Sequence, residues 1–290
     1  MKITPLAGIL LMLSSAAIPG YAEEDAPLRK AVTFRASFDA EVRGDAGGGG
    51  LKVSTRLDHP TNKGEFVFEP GFDPKVFRVA KGKGVHGGAL EAVDVLPRRG
   101  RIFFPLKGNL AFAAGGWGGA ASMWLNTDPN TLLKTPFCDP IQITEKGANN
   151  GGLWLDFPDP GNKPRDMRLG AFPAVPEGKT GLTEADPAAP LVWMKNVGFK
   201  SGEWHHVAMT WANFDTGKAN AEACLYVDGR LIGKLADREL AMGWNVEQAG
   251  IYVAVNYIGL LDELALFNRS LTEAEVKQLA AQPDRLSQGK

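Results

Sequence analysis

The chain has 290 residues, a formal net charge of −1, 35 glycines, 19 prolines and two cysteines. A charge balance this even, with no basic excess and no acidic tail, speaks against a nucleic-acid partner. Beyond an N-terminal targeting segment, roughly 270 residues remain, enough for one large β-sandwich with its own core.

Residues 1–22 read as a signal peptide. Lys2 supplies the positive start, Ile9-Leu10-Leu11-Met12-Leu13 the apolar run, and Gly20-Tyr21-Ala22 the small-residue surround for cleavage after Ala22. The run is too short to span a bilayer comfortably, and no cysteine follows it to carry a lipid. A secreted, periplasmic or cell-surface location is expected, with no membrane span after signal removal. Residues 23–290 are then expected to form a single domain.

Residues 23–30 are charged and read as loose. Residues 32–39 read as the first strand, with Phe34, Ala36 and Phe38 on one face and Asp39 closing it on the other. Gly47-Gly48-Gly49-Gly50 is a flexible loop, and its glycines lack the spacing of a phosphate cradle. Residues 51–79 hold short apolar runs broken by Pro60, Pro70 and Pro74. Strands are expected over 89–95 and 101–104. Between them Arg98-Arg99-Gly100-Arg101 makes a basic turn, either solvated or a site for an anionic sugar.

Further strands are expected through Trp124, over Ile141-Gln142-Ile143, over 152–157 and over 165–172. The stretch 173–190 is a long Pro/Gly/Ala loop, and loops of that length are often functional. Val207, Met209 and Trp211 alternate with His206, Ala208 and Thr210, the two-residue period of a strand. Asp228-Gly229 between Leu225-Tyr226-Val227 and Leu231-Ile232 signals a hairpin, because its turn needs positive φ. Thr272-Glu273-Ala274-Glu275 has the capping-box spacing and opens the one clear helix, with Val276, Leu279 and Ala280 as its apolar stripe and Pro283 just past its end.

The order of three pieces carries a resemblance. Gly202-Glu203-Trp204-His205-His206-Val207-Ala208-Met209-Thr210-Trp211 comes first, then Cys224-Leu225-Tyr226-Val227-Asp228-Gly229-Arg230-Leu231-Ile232-Gly233, then Leu261-Asp262-Glu263-Leu264-Ala265-Leu266-Phe267-Asn268-Arg269. With Gly84-Val85-His86-Gly87-Gly88-Ala89-Leu90 and Ala121-Ser122-Met123-Trp124-Leu125-Asn126 upstream, the chain resembles the laminin-G-like jelly-roll domain of the concanavalin A-like lectin/glucanase superfamily. The expected fold is all-β: a two-sheet antiparallel jelly-roll sandwich with one short C-terminal helix. The strand-rich pattern without internal repeat agrees.

The resemblance implies a structural calcium held by Asp39, which closes the first strand, and Asp262, in the last one. Physically, strand parity places Asp262 on the face of Leu264 and Leu266, and a carboxylate on an apolar face needs a partner. That partner is a cation, Arg35, Arg269 or backbone N–H groups. Asp45, Glu41 and Glu263 are weaker ligand candidates. His205 and His206 point to opposite faces of one strand and do not make a metal pair. Cys138 and Cys224 either pair, closing a loop whose constraint is worth on the order of 4 kcal/mol, or Cys224 is a small buried hydrophobe.

Catalytic signatures are missing from the sequence. The superfamily's glucanases carry an ExDxxE or ExDxE strand with two carboxylates about 5 Å apart, and no such spacing occurs. Gln142-Ile143-Thr144 is similar to the middle of the Arg/Gln/His/Tyr set of jelly-roll polysaccharide lyases, without matching Arg and Tyr motifs. The expected role is a non-catalytic binding module for a glycan or another extracellular ligand. A protein-interaction module of a surface assembly is the alternative, and a polysaccharide-active enzyme is a third reading. Trp154, Trp193 and Trp117 are the candidate ligand-facing aromatics, with Trp244, because they lie near glycine- or proline-rich turns; core packing is the competing role for each.

Overall fold

The computed structural model describes residues 26–287, except 160 and 162. The expected signal peptide, residues 1–22, lies outside the described residues. The elements run α1 (Ala26–Ala31), β1 (Val32–Ala36), β2 (Ala46–Gly47), β3 (Ser54–Asp58), β4 (Phe66–Pro70), β5 (Phe77–Val79), β6 (Leu90–Ala92), β7 (Arg101–Pro105) and β8 (Trp117–Asn126). They continue β9 (Cys138–Gly147), β10 (Asn150–Phe157), β11 (Met167–Phe172), β12 (Leu191–Met194), β13 (His205–Phe214), β14 (Ala221–Val227), β15 (Arg230–Arg238), β16 (Gly250–Val255), β17 (Gly259–Phe267) and α2 (Glu273–Ala281).

The strands form two antiparallel sheets, a jelly-roll sandwich as the sequence led one to expect. One has nine strands, in the order β15-β14-β13-β8-β17-β1-β2, with β6 also on β17 and β5 on β6. The other has eight, in the order β12-β11-β10-β9-β16-β7-β3-β4. Their inner faces interlock in one core. Ile102 and Phe104, Ile141 and Ile143, Leu153 and Leu155, and Ile251 and Val253 supply it from the eight-stranded sheet, and Phe34, Met123, Met209, Leu264 and Leu266 from the nine-stranded one. Because side chains alternate, the residues between these point outward. From β7 to β11 those outward residues are Arg101 and Phe103, Gln142 and Thr144, Trp154 and Asp156, and Arg168 and Gly170.

Each sheet seats a tryptophan across a strand from a glycine. Trp211 pairs with Gly119 and Trp154 with Gly170. A methyl at either glycine would lie 2.3 Å from the partner's indole, so the ring occupies the space that a side chain would fill.

The outer face of the nine-stranded sheet is covered by helix. Val276 and Leu279 of α2 pack with Ala120, Ala208, Tyr226, Ala265 and Phe267. The capping box forms as the spacing predicts: the Thr272 hydroxyl accepts from Glu275 N, and the Glu275 carboxylate accepts from Thr272 N. The hairpin forms too, with Val227 opposite Arg230 and both Asp228 (φ 50°) and Gly229 (φ 74°) left-handed.

The two histidines take structural places on opposite faces. His205 stacks flat on Phe199 and meets the Asp228 carboxylate at 2.9 Å, whereas His206 is fully buried against Ser122 Oγ (2.8 Å) and Trp124. Burial pushes the His206 pKa down to about 4. The unfolded chain takes up this proton near pH 6.5, so His206 favours folding fully above that pH, and its contribution is lost as pH falls toward 4. The linkage amounts to about 3 kcal/mol. The His206 ring protons are expected to show no NMR titration above pH 5; an inflection near 6.5 would refute the burial argument.

Three sequence expectations need correction, and the alternative left open at the cysteines is answered. Residues 23–30 read as loose, but Ala26–Ala31 form α1, with Leu28 and Ala31 buried. β1 ends at Ala36, because Phe38 takes a left-handed φ of 58° and turns the chain before Asp39. Parity in β17 fails at a bulge: Asp262 pairs with Trp124 and Ala265 with Ser122, three residues against two, with Glu263 at φ 48°. Asp262 therefore shares the face of Trp124 and not that of Leu264. The cysteines are both free. Cys138 lies in the inter-sheet core, and Cys224, half-buried rather than buried, packs under the helix layer as a small hydrophobe.

Candidate functional site, a groove on the eight-stranded sheet

The outer face of the eight-stranded sheet is not covered by helix. Loops rise around it and leave a groove of about 470 Å³. Its floor is made by outward residues of β3, β7, β9 and β10, and its walls by Phe66, Pro136-Phe137, 146–149, Glu184 and Val255-Asn256. Glu184 comes from the long 173–190 loop.

The floor is a connected polar network. Arg101 Nη1 donates to Gln142 Oε1 at 2.8 Å, and Gln142 Nε2 donates to Asp139 Oδ2 at 2.9 Å. Arginine has only donors and a carboxylate only acceptors, so these partners force the orientation of the Gln142 amide. Arg56 Nη1 donates to the Tyr252 hydroxyl at 2.9 Å, and its guanidinium lies 3.8 Å from the Phe66 ring centroid. Asp156 and Arg168 face each other across β10 and β11 and bond through both oxygens, at 2.8 and 2.6 Å. The Trp154 indole stacks on Phe172 and donates to Ala148 O.

Burial sets the charge state of this floor. Asp139 is driven well above the usual carboxylate range, first by loss of solvent and then by the neighbouring Asp156, against the pull of Arg101 and Arg168. Its Oδ1 is buried without a hydrogen-bond partner among the described residues. A proton held there converts an unpartnered acceptor into a donor. Burial also raises the Asp156 pKa, but its bonds to Arg168 oppose the rise and favour the charged form. Arg101 is lowered by burial and then by the positive charge of Arg56.

Of the candidate tryptophans, Trp154 lines the groove, 2% exposed. Trp193 stands on the edge strand β12, 38% exposed, with Arg168 at 4.9 Å and Lys195 at 3.9 Å from its ring centroid. Trp117 is a core residue instead. It packs edge-on against Trp211, Trp244 and Phe214 and donates to Asp215. Trp244 belongs to the same aromatic cluster. Of the basic turn, Arg99 is held by the Asp58 carboxylate, Arg98 by the Asp58 carbonyl, and Arg101 reaches the floor.

Sequence reasoning missed Asp139, Asp156, Arg168, Tyr252 and Arg56. A signal was present for part of it: in Ile141-Gln142-Ile143-Thr144 and Leu153-Trp154-Leu155-Asp156 every second residue is polar or aromatic between core aliphatics, whereas Asp139 has the parity of Ile141 and sits where the register shifts. Gln142 is met by Arg101 and Tyr252 from strands far apart in sequence, so no local motif announces the group.

Asp39 and Asp262 come to either side of the turn 84–88. Gly88 N donates to Asp39 Oδ1 at 2.8 Å, and His86 N and Glu263 N donate to Asp262 at 3.3 and 2.8 Å. Asp262 is fully buried and its pKa is pushed up to about 8, by burial and then by Glu263. Glu263 gives both oxygens to Arg35, and Asp45 accepts from Ser37 N. Asp39, His86 and Glu263 bring ligand atoms within 4.8 Å of one another. Glycine is required on this turn: a methyl at Gly84 would meet Gly88 O and Asp262 Oδ2, and one at Gly88 would meet the Asp39 and Phe38 carbonyls. Oxygens of the hard type that calcium takes thus line both sides of the turn, and the ligand atoms that converge are those of Asp39, His86 and Glu263, not of Asp262.

A two-sheet jelly roll with a ligand-sized groove on one sheet defines a class, and the family follows from sequence. Residues 118–277 match the laminin-G-type model of the concanavalin A-like lectin/glucanases superfamily, more than half of the chain, and the protein belongs to that superfamily. No curated protein matches the chain. Similar solved structures include domain 4 of AbnA, a GH43 extracellular arabinanase from Geobacillus stearothermophilus, in complex with arabinotriose. It is 17% identical, with 86% of this chain and 99% of that one covered and a TM-score of 0.49. The binding domain of Paraclostridial Mosquitocidal Protein 1 is 11% identical, with 87% and 52% covered and a TM-score of 0.46. The CBM40 of the Ruminococcus gnavus IT-sialidase, bound to α2,3-sialyllactose, is 13% identical, with 66% and 96% covered and a TM-score of 0.42.

Proposed function

We propose that the protein is a non-catalytic binding module that holds a glycan in the groove of the eight-stranded sheet, outside the cell. The observation that carries this is the groove floor. Phe66 and Phe137, exposed in the groove walls, offer aromatic surface, while Gln142 and Arg101 are fixed by each other and Arg56 by Tyr252, in the positions they would hold around a ligand. Side chains already immobilised lose little entropy on binding. The export reading rests on residues 1–22.

A second reading is enzymatic, and one observation favours it. Asp139 is a buried carboxyl with a strongly raised pKa in a cleft, a state suited to a general acid. Against a two-carboxylate hydrolase, Asp156 is occupied on both oxygens by Arg168. A protein partner is the third, supported by Phe66 and Phe68, exposed on the edge strand β4.

One experiment separates these readings. The mature protein is screened against a polysaccharide panel, and chain ends are assayed in the same wells. Saturable binding without new reducing or unsaturated ends supports the module. New ends establish catalysis, and silence across the panel leaves the protein-partner reading.

Structural calcium at Asp39 and Asp262 belongs to the same proposal. The hard oxygens on both sides of the turn support it, as does the raised pKa of Asp262, a buried carboxyl beside Glu263 that a cation would favour in its charged form. Ligand that binds only the folded chain raises the melting temperature. Millimolar calcium is expected to raise Tm by several degrees over the EDTA-treated protein, and Asp262→Asn to abolish the difference. Equal Tm in calcium and EDTA would refute the site.

A further inference from the structure

Arg56 and Arg101 stand side by side on the groove floor, and neither forms an ion pair among the described residues. Of the groove's acids, Glu184 stands in the wall and acts on Asp139 and Asp156, and the others are committed. Asp58 holds Arg99, Asp156 holds Arg168, and Asp139 reaches Arg101 only through the Gln142 amide. Arg56 is 7% exposed. Arg56 is buried and Arg101 half-buried; two such neighbouring cations repel each other, and placing them together without an anion is costly.

The geometry also shows what is left to bind with. Each guanidinium carries five N–H donors, and one nitrogen of each is used, by Tyr252 on Arg56 and by Gln142 on Arg101. The remaining donors sit on planes held by Phe66 and by the aromatic ring of Tyr252, 5.3 Å from Arg56 and 5.9 Å from Arg101. A planar carboxylate matches such a fork and a neutral hydroxyl does not.

We propose that the glycan held in this groove is acidic, and that Arg56 and Arg101 together receive the carboxylate of a uronic acid unit. This rests on the glycan-binding reading and narrows it to a substrate class. Asp139 fits the assignment: burial raises its pKa, which disfavours a negative charge beneath the sugar carboxylate. The aromatic and amide groups beside the arginines take the rest of the ring.

The test compares the same polymer with and without its charge. Oligosaccharides of polygalacturonate and of alginate are titrated into the intact protein beside their carboxyl-reduced counterparts, with neutral arabinan, xylan and glucan and a sulfated glycan as further arms. The acidic forms are expected to bind about 100-fold tighter than the reduced forms, since charge-assisted bidentate bonds are the strong ones. Binding is expected to weaken as salt rises. Arg101→Gln is expected to cut the preference to under about tenfold, and Arg101→Lys to restore only part of it. The carboxyl-reduced arm needs no mutation, so a variant that fails to fold does not spoil the result. Equal affinity for acidic and reduced forms, or binding confined to the neutral polymers, would overturn the acidic assignment while leaving the glycan groove in place. Preference for the sulfated glycan over both uronates would overturn the carboxylate. No binding in any arm would remove the glycan reading itself.

Discussion

Asp156→Ala is expected to lower stability by about 3–5 kcal/mol, because it leaves the Arg168 guanidinium buried with no counter-charge. Both side chains are almost fully buried, at 2% and 3% exposure, and the pair bonds through both carboxylate oxygens. For a chain of this size each kcal/mol moves Tm by about 2–4 °C, so a fall of roughly 6–20 °C is expected in a thermal melt. The aromatic faces of Trp154 and Trp193 beside Arg168 soften the loss without replacing the charge. Replacing both partners by apolar residues, Asp156→Leu with Arg168→Met, is expected to recover most of it, since the penalty lies in the orphaned charge. A Tm for Asp156→Ala within 1 °C of the parent would mean that Arg168 finds solvent or another anion, and the closed floor described above would be wrong.

Gly170→Val is expected to cost about 1–3 kcal/mol, the usual range for overpacking, and to disturb the groove more than the fold. Gly170 lies directly across from Trp154, and a Cβ there would fall 2.3–2.5 Å from three atoms of the indole. The ring cannot slide inward, because Leu153 and Leu155 fill the core on the other face of the same strand. It has to lift into the groove and break its bond to Ala148 O. Near-ultraviolet circular dichroism should change in the tryptophan region while the strand signal in the far ultraviolet stays. Retention of the parent tryptophan spectrum and Tm would show that the indole is not seated on the glycine.

Much of the architecture was legible in the sequence because it is written in local signals. Asp228-Gly229 fixed a hairpin, Thr272 and Glu275 fixed a helix start, and the alternation through Val207, Met209 and Trp211 fixed a strand. Counting failed where the backbone leaves its period. The left-handed Phe38 ends β1 early, and the bulge at Glu263 moves Asp262 off the face that parity assigns. The groove was less legible for a different reason. Its residues come from β3, β7, β9, β10, β11 and β16, and the sheet order that brings them together is set by long-range pairing of β16 between β9 and β7. Trp154 was singled out for its glycine neighbours, and the structure gives the physical cause: Gly170 across the strand makes room for its ring. Trp117, chosen by the same rule, lies in the core, packed against Trp211, Phe214 and Trp244.

The central claim is that a glycan occupies the groove of the eight-stranded sheet. Nuclear magnetic resonance shift mapping with uronate and neutral oligosaccharides tests it most directly. Binding in the groove predicts saturable shifts gathered on the Trp154 indole N–H, the Gln142 side-chain amide and the backbone of 146–149, with His206 and the α2 helix unmoved. Shifts gathered instead on the turn 84–88 or on the exposed β4 edge, or no shifts with any oligosaccharide, would contradict it.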